Sequence, residues 1–161
     1  MKTMKTMKTT EFTGLRNVEN VTKGLQQLLA DLQVYYTNLR GFHWNIKGKD
    51  FYLLHEKFEE MYNDAAAKVD EVAERLLMLG ETPAHTFTKY LKTANVKETG
   101  VVTGTDEAIK NILDTLKLLI ASERELLALA SEIDDEVTVA LLSDYISGQE
   151  KEVWMLTSFL S

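Results

Sequence analysis

A chain of 161 residues with 45% hydrophobic and 27% charged residues is long enough for one domain with a sizeable core, and too apolar for intrinsic disorder. It has no cysteine, which excludes disulfides, thiolate zinc sites and cysteine nucleophiles and leaves His, Asp and Glu to hold any metal. The net charge of −7 speaks against a generally basic nucleic-acid surface, and neither a membrane span of roughly 18 apolar residues nor the apolar stretch of a signal peptide is present, so a cytoplasmic protein is expected.

The start, "MKTMKTMKTTEF", reads as a flexible tail over residues 1–12, followed by a single domain with no internal boundary. One proline, Pro83, and eight glycines leave long stretches free of breakers, and the apolar spacing in them is helical, so the chain is read as all-α. A first helix is expected from Asn17 or Asn20 to near His43, with Leu25, Leu28, Leu29, Leu32, Tyr35, Tyr36 and Leu39 as its apolar face and Gly41 and Gly48 marking its weakening and end. The second should run from near Asp50 to Gly80, where glycine can take the left-handed conformation that closes a helix. The polar stretch from Glu81 to Gly104 is too long for a hairpin and is read as a crossover, with "HTFTKYLKTA" forming a short helix on it. Thr105 caps the third helix, which ends near Ile133, and Asp134 or Asp135 caps a fourth that reaches almost to the C-terminus with Gly148 as a weak point. Four helices of about 25 to 30 residues with a long crossover between the second and third describe a ferritin-like four-helix bundle.

Di-metal centres in the core of such bundles use a Glu-x-x-His motif on two helices. Here the residues three before His43, His55 and His85 are Arg40, Tyr52 and Thr82, so a centre of that type within one chain is not expected. The segment "LLHEKFEEMYNDAAAKVDEVAERLL", Leu53 to Leu77, offers another geometry. His55 and Glu59 are four apart, as are Asp70 and Glu74, and the eleven residues from Glu59 to Asp70 advance about 1100°, within about 20° of whole turns. All four side chains therefore share a face, yet His55 and Glu74 lie about 28 Å apart along a straight helix, too far to share an ion. Antiparallel pairing of two copies about a two-fold axis between Asp64 and Ala65 brings His55 and Glu59 of one opposite Asp70 and Glu74 of the other, with the run Ala65, Ala66, Ala67 allowing close approach. The alternative is plainer: such pairs are common on solvated helix surfaces, and alanine is simply a good helix former.

Taken together, "GFHWNIKGKDFYLLHEKFEE" and "VDEVAERLLMLGETP" resemble the signature of the Dps-type mini-ferritins, the DNA-binding proteins from starved cells, and the resemblance extends from about Gly24 to Phe159, including the late "VWMLTSFL". It implies a ferroxidase centre between two-fold-related subunits, with His43, His55 and Glu59 from one and Asp70 and Glu74 from its partner. Trp44 would sit beside it to quench radicals, or merely fill core; Arg40 would orient water, or merely pair on the surface. It further implies Fe(II) oxidation, preferably by hydrogen peroxide, and ferric mineral held in a hollow dodecamer that protects DNA. Many members carry Asp where this chain has Glu59. Acidic pore residues are expected among Asp134, Asp135, Glu136 and Asp144, with Ala140 at one position that is acidic in the family; helix capping is their alternative reading.

The tail residues Lys2, Lys5 and Lys8 could contact DNA phosphates by charge alone, strengthened by repetition over the cage. Three in-frame methionines leave the start open, and a chain beginning at Met7 keeps only Lys8 of these. A non-enzymatic nucleoid-binding cage is therefore the alternative function.

Overall fold

The structure, a computed structural model, describes residues 7–161. Among them are six helices and no strand: α1 (Thr9–Thr13), α2 (Glu19–Asn45), α3 (Phe51–Met78), α4 (Phe87–Thr93), α5 (Thr105–Glu132) and α6 (Glu136–Leu160). The four long helices are those expected from the apolar spacing, and α4 is the short helix on the crossover. At the end of the segment read as a tail, and one residue beyond it, residues 9–13 make one short helix, capped by Gly14 at φ 78°. No helix among the described residues is long and apolar enough to cross a membrane.

Helix ends follow local chemistry, with some shifts. Val18, not Asn17 or Asn20, precedes α2, because Asn17 is held at φ 56°, outside the helical region. Gly41 does not weaken α2, which runs on to Asn45. Gly80 closes α3 as expected: at φ 86° it lets its own N–H reach Leu77 O at 3.0 Å and the Glu81 N–H reach Leu76 O at 2.9 Å. Thr105 is the first residue of α5 and Gly104 its cap.

The bundle is held by apolar stripes that meet along its axis. Leu25, Leu28, Leu32, Leu39 and Phe42 of α2, Phe58, Val72 and Leu76 of α3, Ile109, Ile112 and Leu119 of α5, and Leu142 of α6 are all buried. Each such side chain contributes about 1.5–3 kcal/mol relative to exposure, which outweighs any helix propensity. Gly24 marks a close crossing of α2 and α5, since a Cβ there would lie 2.5 Å from Leu126 Cδ1.

Polar residues of α2 lay the crossover along that helix. Gln26 bonds Thr82 O at 2.8 Å and the Ala84 N–H at 3.0 Å. Gln27 donates to Thr93 O at 2.8 Å, and the fully buried Asp31 accepts from the Asn95 and Val96 N–H groups at 2.6 and 2.9 Å. Asn38 donates to Lys97 O at 2.8 Å and accepts from the Thr99 N–H at 3.1 Å. Partners ascend together in number, so the crossover runs parallel to α2 and returns the chain to the end where α3 began. α5 then starts level with the α2–α3 turn, where the Lys47 N–H meets Thr103 O at 3.0 Å.

At the other end, Arg75 of α3 ties down the start of α6. Its Nη2 meets Asp135 Oδ1 at 2.6 Å and its Nε donates to Thr138 Oγ1 at 2.9 Å, while Asp135 caps α6 by accepting from the Thr138 N–H at 3.1 Å.

Candidate metal centre

His43 lies in the last turn of α2 and His55 in the second turn of α3, brought together by the turn between the helices. Their rings stack at 3.8 Å between centroids and 13° between planes. Each ring is held by the other residue's backbone: His43 Nδ1 donates to His55 O at 2.6 Å, and His55 Nδ1 donates to His43 O at 2.7 Å. A carbonyl oxygen only accepts, so the bond itself assigns the hydrogen to Nδ1 in both rings. In neutral imidazole, the form that binds a metal, this places the lone pair on Nε2, and the carbonyl partner fixes ring orientation as well as tautomer.

Aromatic neighbours complete the clamp. Phe51, one turn before His55, stacks on that ring at 5.0 Å, and Tyr62 sets an edge against His43 at 5.3 Å. Phe42 and Phe58 pack beneath, with ring centroids 6.1 Å apart. The two imidazoles are thus fixed on four sides by side chains and backbone whose own positions are set by the core.

Glu59 stands one turn beyond His55 and is exposed, as are Asp70 and Glu74 farther along α3. Among the described residues of one chain, no three His, Asp or Glu side chains converge where an ion could be held. One chain therefore presents two nitrogen donors at one end of a helix face and two carboxylates at the other. Ala65 does not belong to that face; it is 2% exposed and packs into its own core, whereas Ala66 and Ala67 are exposed. Close approach of a second copy would thus fall on Ala66, which lies within about 20° of His55 around the helix. Tyr52 and Leu77, both exposed, flank the same stripe, an arrangement of apolar ends around polar groups that suits a covered surface.

Trp44 is 62% exposed and so does not fill this chain's core. Arg40 lays its guanidinium over the Trp44 ring at 4.7 Å and the Tyr36 ring at 5.5 Å. The surface ion pair expected for Arg40 is absent from those the described residues make. Instead the cation sits on two aromatic faces and fixes the indole beside the histidines.

The acidic start of α6 divides. Asp135 is 1% exposed and committed to Arg75 and Thr138, so it cannot line an aqueous passage and leaves the set of pore candidates. Asp134, at φ 58°, and Glu136 and Asp144 are exposed, with Ala140 exposed on the same face as the last two. At the N-terminus Lys8 is exposed ahead of α1, while Lys2 and Lys5 lie outside the described residues.

Comparison with known proteins agrees with this architecture. Residues 22–161 match the family model of the ferritin-like domain. Over 144 residues the chain is 53% identical to the DNA protection during starvation protein of Porphyromonas gingivalis, a match covering 89% of this chain and 91% of that one. It is 34% identical over 143 residues to DNA protection during starvation protein 2 of Bacillus anthracis, covering 89% and 98% of the two. Among solved structures, the Dps protein of Vibrio cholerae, described as a member of a broad superfamily of ferritin-like diiron-carboxylate proteins, superposes with a TM-score of 0.87 at 46% identity over 89% of this chain and 90% of that one. Helices, crossover, family model and relatives at this identity leave one assignment: the chain belongs to the Dps branch of the ferritin-like family.

Proposed function

We propose that this protein is a ferroxidase and iron store that protects DNA by removing ferrous iron and hydrogen peroxide together. The observation that carries the reading is the reciprocal lock between His43 and His55, which holds the two rings stacked and commits each Nδ1 to a backbone carbonyl, so that only Nε2 of each is left for a metal. In a two-fold pair of chains these nitrogens and Glu59 face Asp70 and Glu74 of the partner, giving two equivalent sites. Imidazole suits ferrous iron, and the hard carboxylate oxygens favour the ferric product, so the mixed donor set biases the ion toward oxidation. Two ferrous ions each give up one electron, the O–O bond of peroxide breaks, and its oxygens leave as water or as oxide of the mineral. The carboxylates hold the substrate ions, the histidines orient them, and Trp44 beside the site is a one-electron donor placed to intercept stray radicals. Ferric mineral would collect inside a dodecamer, with Asp134, Glu136 and Asp144 as candidates for its iron entrance.

The test is anaerobic loading of the assembled protein with Fe(II), then a peroxide pulse, following ferric absorbance, residual peroxide and particle mass. Rapid oxidation that consumes both reactants and feeds a soluble core in a particle of about twelve chains supports the reading. Oxidation no faster than in protein-free solution, or a dimer without a core, would sink it.

A further inference from the structure

Inside the bundle, away from the histidine face, α5 and α6 meet across two polar side chains that the proposed chemistry does not use. Glu123 of α5 has no exposed surface and Gln149 of α6 is 3% exposed. Gln149 Nε2 donates to Glu123 Oε1 at 2.8 Å. The other two oxygens of the pair, Glu123 Oε2 and Gln149 Oε1, are both buried and both without a partner. With Glu123 ionised, both are acceptors left without a donor in the core, an arrangement that folded proteins avoid. A single hydrogen removes both vacancies. As a carboxylic acid, Glu123 has an Oε2–H to donate to Gln149 Oε1, and two planar groups joined in this way form a ring of two hydrogen bonds in which neither oxygen is left without a partner.

We propose that Glu123 and Gln149 form a proton-binding site, a neutral acid–amide pair that joins α5 to α6 by two hydrogen bonds and keeps only one of them when the proton is lost. The groups facing it are otherwise engaged. From α3, Lys68 is paired with Asp64 at 2.5 Å, and Glu71 accepts the Tyr145 hydroxyl of α6 at 2.7 Å. Glu152 of α6, whose Oε2 is the third buried oxygen without a partner, is held through Oε1 by Lys57 at 3.0 Å. Burial raises the Tyr35 and Tyr145 hydroxyls, so both stay protonated. A cavity of about 250 Å³ enclosed by residues of α2, α3, α5 and α6 reaches Gln149 and Glu152.

Burial pushes the Glu123 carboxyl up to about 7, against the lowering pulls of the Gln149 bond and Lys68. The folded value lies above the ordinary 4.5, so the contribution of the bound proton to stability is full below that value and is lost as pH rises through about 7. Acid therefore tightens the seam between α5 and α6, and alkali loosens it.

Glu123→Gln supplies the test, because it puts an amide N–H where the acid O–H stands and imitates the loaded pair at every pH. In the assembled protein, the thermal midpoint of the unmodified chain should fall relative to that of Glu123→Gln by several degrees between about pH 4.5 and about pH 8, with the two close together at the acid end. Infrared difference spectra over the same interval should show a protonated-carboxyl C=O band disappearing in the unmodified chain and absent from the variant. Glu123→Ala, which removes the pair, should be destabilised throughout. A Glu123→Gln midpoint that tracks the unmodified chain at all pH values, a variant as unstable in acid as Glu123→Ala, or identical infrared differences would each overturn the proposal.

Discussion

Two clusters of ionisable groups sit at opposite ends of α3, and they use their hydrogen-bonding capacity in opposite ways. At the C-terminal end, Arg75, Asp135 and Thr138 spend their donors and acceptors on one another, with Asp135 1% exposed. At the N-terminal end, His43 and His55 spend one nitrogen each on a backbone carbonyl and leave the other free. The closed cluster fixes a helix start and offers nothing to a ligand. The open one is equally well fixed but retains two ring nitrogens not spent on its own fold, and that spare capacity separates a candidate site from a structural joint.

The comparison breaks first at the closed cluster. Asp135→Ala leaves Arg75 buried without a counter-charge and removes the α6 cap, and should cost about 3–5 kcal/mol in denaturant unfolding. Iron oxidation per folded assembly should be unchanged.

The open cluster should show the reverse. His55→Ala or Asp70→Ala should slow peroxide-dependent iron oxidation by about 100-fold or more while the helical fold persists. Co-assembly sharpens this: a pair made of one His55→Ala chain and one Asp70→Ala chain retains one complete site, so mixed particles should recover activity that neither variant has alone. No recovery in particles shown by mass spectrometry to be mixed would count against a site shared between chains.

Glu59→Asp shortens a candidate ligand by one methylene and keeps its charge. We expect a change below about 10-fold in the oxidation rate, read most clearly in the binding of the second iron. The smallest effect on the fold should come from removing residues 1–10, of which the described ones, 7–10, bury no side chain in the core. Thermal stability and oxidation should stay the same, while any DNA shift on a gel at low salt disappears; a shift that survives the truncation would place the contact elsewhere.

Much of this was legible in the chain. Breaker-free stretches and three-and-four spacing gave the four long helices and the crossover, because amphipathic periodicity is what the bundle itself requires. Helix ends were less so: Asn17 is a good cap by composition, yet its backbone is turned out of the helical region and Val18 takes the position. Asp134 and Asp135 are indistinguishable in sequence. The residue that draws one of them inward, Arg75, lies 60 positions away. The candidate ligands were readable from their types and spacing, but their tautomers were not, since the partners are backbone carbonyls that no sequence displays. Phe51, four before His55, carried a readable hint of the stack; Glu123 and Gln149, on different helices, carried none.

His55 follows His43 by twelve positions, and the bonds between them staple the neck of that short turn. Closing so small a loop costs little chain entropy, and its contacts are local, which places it among the early events of folding. A chain emerging from the ribosome has both nitrogens in hand when about a third of it exists, before α5 and α6 have been made. Under the proposed pairing, the missing carboxylates come only with another copy. The timing of a working site is then set by the concentration of finished chains, and a cell that makes little of this protein holds half-sites rather than slow enzymes.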